Sequence, residues 1–392
     1  MRPMITAARL GTLLTAAALG ARAQPQPGGT VSVTDSGLKT SPATYECTAG
    51  HSVKRQTVTL DSAKKRYAFV YAGCYDPSHG EVHPSSEGHF GMPEPWSGNF
   101  YAGGFLEVFI NGKDAITYTL NEMRVLETGE RGSFQAVWAH PDAEVGLRVM
   151  LLPGADHVLC DLSWQPRTLE AIKTVKLTLR AYPSFFTSFN HRQGERHCRT
   201  PRLDQKEPET LQIVPDQDTY LFYYDTVFDT AKGEGNGPCA SIIAPEGVVS
   251  GSVSIGDYAV MTQIHARPEA GHVRFALYDF SGLTNAAAGE YLKTQAAEDL
   301  AQLQQADFRP LLVRDLEVEK LRAEAAKLLT EAAADGPQFR PQIDALIAKI
   351  AALKAKAEAG DWTAEADLAQ VWRDSEDMFW RLRIFALLNQ AD

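Results

Sequence analysis

Alternation of apolar and polar residues runs through most of the chain. Between residues 30 and 283, short segments with an apolar side chain at every second position are separated by turn residues, which is typical of half-buried β-strands. In one such segment, Val158, Cys160, Leu162 and Trp164 would share a single face. No helical period separates these segments, so we expect an antiparallel sandwich rather than a parallel sheet. About a dozen strands over this length require broad sheets.

A tight hairpin is predicted at Asn111-Gly112. This dipeptide favours a two-residue turn, and alternating segments lie on either side of it at 105–110 and 116–120. The two segments would then pair as neighbouring strands of one sheet.

The apolar period becomes helical after Gly282. Segments 286–306 and 311–334 are predicted to be helices, and Gly336-Pro337 ends the second. A third helix repeats apolar residues at spacings of four and three, as in one seam of a coiled coil. That seam consists of Phe339, Ile343, Leu346, Ile350, Leu353 and Ala357. Asp361 is the predicted N-cap of a last helix, whose stripe consists of Leu368, Trp372, Ser375, Phe379, Leu382 and Phe385.

These patterns predict a mainly β fold with an α-helical C-terminus. A large antiparallel β-sandwich would occupy residues 24–283, and a helical hairpin or three-helix region would occupy residues 284–392. Trp362, Trp372 and Trp380 either pack the helices or form a docking face for a partner or a sugar. The stripe spacing favours packing.

Residues 1–23 have the features of a secretory signal peptide, with an apolar run over 10–19 and an A-x-A cleavage site at 21–23. Cleavage would make the protein secreted or periplasmic. The run is too short to cross a bilayer and no later segment reaches that length, so we expect no membrane span. The remaining chain carries 35 basic and 49 acidic residues, a net charge of −14. Such a charge argues against a nucleic-acid partner.

Export permits disulfides, and the chain has five cysteines. An odd number leaves at least one unpaired within a single chain. Cys160 lies on the apolar face of a predicted strand and should be a buried free thiol. The other four lie in or near predicted loops, so we expect Cys47 to pair with Cys74 and Cys198 to pair with Cys239.

The first of two long predicted loops, residues 73–103, concentrates histidine and carboxylate. It contains His79, His83, His89 and Trp96. Such groups move protons or bind transition metals near neutral pH, and whether a metal is bound is left open. The alternative is a surface loop with solvated histidines.

The second long loop, residues 183–208, is rich in arginine and aromatic residues. Arginine matches carboxylate, sulfate or phosphate oxygens, and an aromatic ring can stack on the apolar face of a sugar. The candidate ligand-binding residues here are Phe189, Arg192, Arg196 and Arg199. The alternative is local pairing with Asp204, Glu207 and Glu209 on a solvated loop.

If the two loops meet, histidine, arginine and aromatic side chains would share one site. That set suits epimerisation or β-elimination at a sugar carbon, where a base removes a proton and cations stabilise the developing anion. The predicted catalytic residues are His191, His197, His83 and His89, with Trp96 among the substrate-binding residues. A hydrolase would instead need two carboxylates across the bond. The chain has no P-loop, Rossmann fingerprint or G-x-S-x-G motif, and we predict no cofactor.

The β-rich region resembles the galactose-mutarotase-like supersandwich over about residues 30–283. The resemblance depends on the segments 146–154, 156–164 and 172–183, which give a strand, a turn, a strand, a linking segment and a long strand. The closing segment 272–280 is similar to the last strand of such domains. The resemblance implies carbohydrate binding on a concave sheet face, with His and acidic residues as catalysts.

The sequence therefore favours an exported β-sandwich protein that binds or modifies an anionic carbohydrate, and it leaves open whether the protein is an enzyme. The alternative is a non-catalytic envelope protein. In that case, helices within residues 311–392 would bind a protein partner or self-associate, as the regular seam of the third helix suggests.

Overall fold

The computed structural model describes residues 29–42, 50–76, 81–82, 89–168, 170–185, 195–332 and 336–389. In chain order the strands are β1 (Ser32–Asp35), β2 (Lys39–Pro42), β3 (Ser52–Asp61), β4 (Arg66–Asp76), β5 (Glu81–Val82), β6 (His89–Glu94), β7 (Leu106–Ile110), β8 (Lys113–Asp114), β9 (Thr119–Glu127), β10 (Gly132–Ala139), β11 (Ala143–Leu151), β12 (His157–Pro166), β13 (Val175–Ala181), β14 (Arg196–Arg199), β15 (Asp204–Lys206), β16 (Thr210–Ile213), β17 (Leu221–Asp225), β18 (Cys239–Ile243), β19 (Val248–Ile255), β20 (Val260–Ala266) and β21 (His272–Asp279). The helices are α1 (Asn285–Gln305), α2 (Leu311–Asp315), α3 (Val318–Glu331), α4 (Gly336–Glu358) and α5 (Trp362–Asn389).

Two antiparallel sheets face each other, which confirms the mainly β fold with a helical C-terminus. The first sheet has the order β1-β3-β4-β6-β7-β13-β20-β19-β16, with β2, β5 and β8 paired at its margins. The second has the order β15-β14-β17-β18-β21-β12-β11-β10-β9. The main core lies between them, because alternate residues of both sheets point inward. The predicted inward face of β12, from Val158 to Trp164, lies in this core.

Helix α1 covers part of the outer face of the second sheet. Its residues Leu292, Ala296 and Leu303 pack against Phe222 and Tyr278. Strands β17 and β18 are therefore buried on both faces, and every one of their residues is buried. This double burial accounts for their nearly continuous apolar sequence.

The last four helices form their own apolar cluster, and α5 attaches them to the second sheet. The predicted stripes of α4 and α5 lie in this cluster. The side chain of Asp361 accepts a hydrogen bond from the Ala364 amide at 2.9 Å, which confirms the predicted N-cap. At the start of α5, Trp362 lies against Gly146 of β11. The side chains of Arg148 and Glu365 form an ion pair at 2.6 Å. Within the described part of the chain, no helix is long and apolar enough to span a membrane.

The predicted hairpin at Asn111-Gly112 is wrong in its second strand. After the turn, β8 has only two residues and a 3-10 helix follows over Ala115–Thr117. The Asp114 carboxylate accepts hydrogen bonds from the amides of Val108 and Ile116, which turns the chain away from β7. The next strand, β9, joins the second sheet.

The predicted Cys198–Cys239 disulfide is also wrong, since both are buried free cysteines. Each is paired across the sheet with Tyr223, on opposite sides of that residue. Two interstrand spacings separate them by about 10 Å, which is too far for a disulfide. Cys160 is a buried free cysteine, as predicted. Cys74 is disulfide-bonded, and its predicted partner Cys47 lies outside the described residues.

Candidate functional site

The outer face of the first sheet carries polar side chains where β7, β13 and β20 lie side by side. Along β13, Val175, Leu177 and Leu179 point into the core. The intervening Thr178 and Arg180 therefore point outward. Thr178 pairs with Glu107 on one side and Gln263 on the other. Thr178 is itself buried, so the polar groups that this part of the sheet presents to the outside are the half-buried Glu107, Arg180 and Gln263.

Three tyrosines stand at the end of this face. Tyr182 follows Arg180 by two residues, so both side chains lie on the same side of the chain. The Tyr182 ring meets the edges of Tyr101 and Tyr258, with ring centroids 5.9 and 5.6 Å apart. Tyr182 is buried, whereas Tyr101 and Tyr258 are 37% and 49% exposed. A buried ring thus supports two accessible ones.

An ion pair lies beside the tyrosines. A terminal guanidinium nitrogen of Arg180 lies 2.6 Å from a carboxylate oxygen of Glu107, and both side chains are partly exposed. Burial raises the pKa of Tyr182 to about 12, although the charge of Arg180 opposes this. The Tyr182 hydroxyl is consequently protonated near neutral pH and able to donate a hydrogen bond.

Trp96 is 89% exposed on a loop that is otherwise held by buried hydrogen bonds. The Ser97 hydroxyl donates to the buried Asp279 carboxylate, which also accepts from Lys65 at 3.3 Å. The Asn236 side-chain amide donates to the Ser97 carbonyl at 2.7 Å. The backbone of this loop is therefore anchored to the second sheet while its indole projects into solvent.

The loop of Trp96 is fastened to the segment that carries Tyr182. The Tyr182 amide donates to the Asn99 carbonyl at 2.8 Å, and the Ser184 amide donates to the Asn99 side chain at 3.1 Å. Ser184 and Phe185 both have left-handed backbone conformations, with φ of 58° and 60°. The Phe185 ring lies so close to Gly98 that a Cβ there would overlap it. Two consecutive strained non-glycine residues need such support and are typical of functional sites.

We call this group of side chains the aromatic platform. It consists of Trp96, Tyr101, Tyr182, Phe185 and Tyr258. Its members come from loops between strands of the first sheet. Residues 186–194, which follow Phe185 in sequence, lie outside the described residues. The predicted site residues Phe189, His191 and Arg192 belong to that segment, and His83 likewise lies outside the described residues.

Arg196, predicted to bind substrate, lies inside the sandwich. It is fully buried, and its guanidinium has no hydrogen-bond partner among the described residues. Its Nε lies 3.7 Å from the buried Asp225 carboxylate. Burial lowers the pKa of Arg196, while Asp225 and Glu207 oppose this effect. Side chains of β14 alternate between the two faces of the sheet, so Arg196 and Cys198 both point inward.

His197 and Arg199 point to the opposite side of β14, where they pair locally. Arg199 forms two hydrogen bonds with the Asp204 carboxylate, at 2.6 and 2.8 Å. The His197 ring lies 3.1 Å from the same carboxylate and stacks on Tyr224. The alternative of local pairing with Asp204 is thus confirmed for Arg199. The role of His197 in catalysis stays a prediction.

The structure also brings together groups that sequence reasoning did not connect. His272 Nδ1 lies 3.0 Å from the Asp161 carboxylate, beside a cleft of about 240 Å³ that Glu246 and Arg274 also line. A carboxylate in this position orients an imidazole for proton transfer. This pair lies on the second sheet, and its partners are 111 residues apart in sequence. No local motif could have indicated it.

The first of the two predicted long loops, residues 73–103, is partly β-strand. His89 begins β6 and is half-buried opposite Ala72 of β4. Within the described ranges, no group of three or more His, Cys, Asp or Glu side chains could hold a metal ion.

Comparison with known proteins finds only distant structural likeness. No protein-family model and no curated protein matches the chain. Among solved structures, it is similar to the alpha-N-acetylgalactosaminidase NagBb from Bifidobacterium bifidum, described in complex with GalNAc. The identity is 10% and the TM-score 0.34, over 72% of this chain and 41% of that chain. The chain thus spans less than half the length of that enzyme, and a likeness this low assigns neither a family nor an activity.

Proposed function

We propose that this protein binds a carbohydrate on the aromatic platform. The observation that carries the proposal is Trp96, an indole that is 89% exposed on an anchored loop. A group of exposed aromatic rings on one surface is typical of ligand-binding sites, because a ligand that covers them removes apolar area from water. The C–H face of a sugar ring is flat and apolar, so it matches the indole and the two accessible tyrosines.

The polar groups beside the platform suit sugar hydroxyls. Arg180 supplies a donor and Glu107 an acceptor within one cluster, and the accessible Tyr101 and Tyr258 add hydroxyl groups. Because these groups are already positioned, little side-chain entropy is lost on binding. Arg180 also supports a preference for an acidic sugar, since its guanidinium lies on the accessible face and can bind a carboxylate.

The remaining parts of the proposal come from the sequence. Residues 1–23 would direct the protein to the periplasm or the exterior, where polysaccharides are accessible. Epimerase-like or lyase-like chemistry would use one of the histidines predicted from the sequence. His191 is the candidate, because it lies in the segment that follows Phe185.

The test is glycan binding by chain 24–392 and two matched variants. Trp96→Ala removes the exposed indole of the platform, and Trp380→Ala removes another exposed indole on α5. Titration with oligosaccharides of polygalacturonate, alginate and xylan should show binding that Trp96→Ala weakens about tenfold or more. Trp380→Ala should bind like the wild type. Equal affinity of Trp96→Ala and wild type for every bound glycan would refute the proposal.

Mass spectrometry of the same incubations tests the catalytic part. Products one water lighter than hydrolysis products indicate β-elimination, and His191→Ala should abolish them. Hydrolysis products would contradict the histidine chemistry.

A second candidate function, self-association through the C-terminal helices, is favoured by an exposed apolar row on α5. Ile384, Leu387 and Leu388 are 40%, 66% and 62% exposed and lie within two turns of one another. Sedimentation equilibrium of the whole chain should show dimers that Leu388→Glu dissociates. A monomer at all concentrations would exclude this candidate.

A further inference from the structure

The cleft between α3 and α5 has a composition unlike the rest of the helical surface. It measures about 490 Å³, within the range of small-molecule sites. Two tryptophans, a phenylalanine and three carboxylates line it, together with a single arginine. These residues are Trp372, Phe379, Trp380, Glu324, Glu376, Asp377 and Arg383. The cleft shares no residue with the aromatic platform, and the proposed function does not use it.

The helix places a carboxylate between two indoles. Trp372, Glu376 and Trp380 stand four residues apart on α5, so they form one row about 12 Å long. Trp380 is 60% exposed, and Trp372 is half-buried against the helical core. A ligand in the cleft would therefore meet an accessible indole, an anchored indole and a carboxylate.

The other charges of the cleft are already paired. Arg383 lies 2.6 Å from Glu324 across the two helices, and Asp377 pairs with Arg381 at 3.1 Å. Among the residues that the structure describes, the Glu376 carboxylate has no salt bridge or hydrogen bond. The nearby Arg373 guanidinium donates to the carbonyls of Val125 and Leu126 on β9 and does not line the cleft. With three carboxylates and one guanidinium, the lining is negative overall and favours a cation over an anion or a neutral solute.

We infer that this cleft binds a quaternary ammonium group. Such a cation is held by the negative faces of aromatic rings, best by tryptophan, and it cannot form hydrogen bonds that a site would have to supply. The methyl groups of the cation bury apolar surface against the rings while Glu376 neutralises the charge. An ordinary ammonium would demand three acceptors, and the row offers one carboxylate.

The test uses the whole chain with choline and tetramethylammonium as probes, at constant ionic strength. Isothermal titration should show saturable binding that Trp380→Ala weakens about tenfold and Glu376→Gln weakens severalfold. Trp96→Ala is the matched control and should bind choline like the wild type. This control distinguishes the two proposed sites, because absence of glycan binding at the platform would not change choline binding in the cleft, and the reverse also holds.

The uncharged analogue 3,3-dimethylbutanol has the shape of choline and distinguishes a cation site from a merely apolar one. It should bind at least about tenfold more weakly than choline. Equal binding of the analogue, no saturation by either cation, or unchanged binding by Trp380→Ala would overturn the inference. Circular dichroism confirms that the variants are folded.

Sedimentation with phosphatidylcholine or phosphatidylglycerol vesicles then identifies the source of the group. Binding to the former alone, lost in Trp380→Ala, indicates a lipid headgroup. Binding of free choline without binding to vesicles indicates a soluble ligand.

Discussion

The ion pair between Arg148 and Glu365 is more deeply buried than the other ion pair between α5 and the second sheet, Arg124–Asp367. The Glu365 side chain is 2% exposed and that of Arg148 is 13% exposed, with 2.6 Å between nitrogen and oxygen. Glu365 lies in the first turn of α5, where a negative charge also interacts favourably with the helix dipole. The nearest other cation is Arg309, whose Nε lies 4.0 Å from the carboxylate.

Arg148→Met removes the guanidinium and keeps an unbranched apolar stem. The carboxylate of Glu365 is then buried with only the distant Arg309, and breaking a buried pair in this way costs about 3 kcal/mol. The double variant Arg148→Met/Glu365→Gln should lose less than the sum of the two single variants, by about 2 kcal/mol, because it leaves no unpaired charge.

The pH dependence of the destabilisation provides a second, independent test. Burial raises the pKa of Glu365, and Arg148 opposes that rise. Without Arg148 the pKa rises further, so the folded variant takes up a proton at a higher pH than the unfolded chain does. The destabilisation by Arg148→Met should therefore be largest at neutral pH and shrink as the pH falls and Glu365 becomes protonated.

The assay is urea unfolding at pH 5 and pH 7, followed by circular dichroism and tryptophan fluorescence. Arg381→Met is the control, because Arg381 and its partner Asp377 are both largely exposed. It should change the free energy of unfolding by less than about 0.5 kcal/mol. The reasoning is refuted if Arg148→Met and Arg381→Met have equal effects, or if the two single variants add in full.

Three further predictions concern other parts of the molecule. Burial raises the pKa of Asp114 to about 6, so its ionisation opposes folding as the pH rises from about 4 to 6. Asp114→Asn should therefore be more stable than the wild type at pH 7, by up to about 2 to 3 kcal/mol. Thermal melts should show that this advantage is lost near pH 4. Ser97→Ala removes a hydrogen bond to a buried carboxylate, so calorimetry should show a loss of stability of about 1 to 2 kcal/mol. Glycan binding should also be weaker. Unchanged binding would show that the Trp96 loop is not part of the binding site. Burial raises the pKa of the Cys198 and Cys239 thiols, so a thiol reagent should modify them only in denaturant, and the absence of modification even there would mean that they are oxidised.

Local periodicity determined most of the secondary structure. A strand or helix at half-burial must place apolar residues at every second or at every third and fourth position, whatever lies against it. The strand containing Cys160 and the seam of α4 followed from this rule alone, whereas the N-cap at Asp361 followed from the capping preference of aspartate. The 311–334 helix is instead α2 and α3 with Leu316 and Glu317 extended between them, an interruption that the composition did not indicate.

The charged residues of β14 make its strand alternation hard to recognise in the sequence. Four residues alternate there between the core and the outside, but one of the two inward positions is an arginine, and buried arginine is rare. The segment was therefore predicted as a loop. Side chains alternate along the strand, so Arg196 points into the sandwich and Arg199 points towards Asp204. These two predicted ligand-binding arginines therefore cannot contact the same ligand.

Only the tertiary structure decided which surfaces are covered. The sequence indicates that 286–306 is a helix and that α5 has an apolar stripe. It does not indicate that both helices pack on the second sheet and leave the platform end of the first sheet accessible. Likewise, Tyr101, Tyr182 and Tyr258 belong to three segments far apart in sequence, and their contact depends on the order of β7, β13 and β20. Strand order is set by long-range packing of whole faces, which no local pattern encodes.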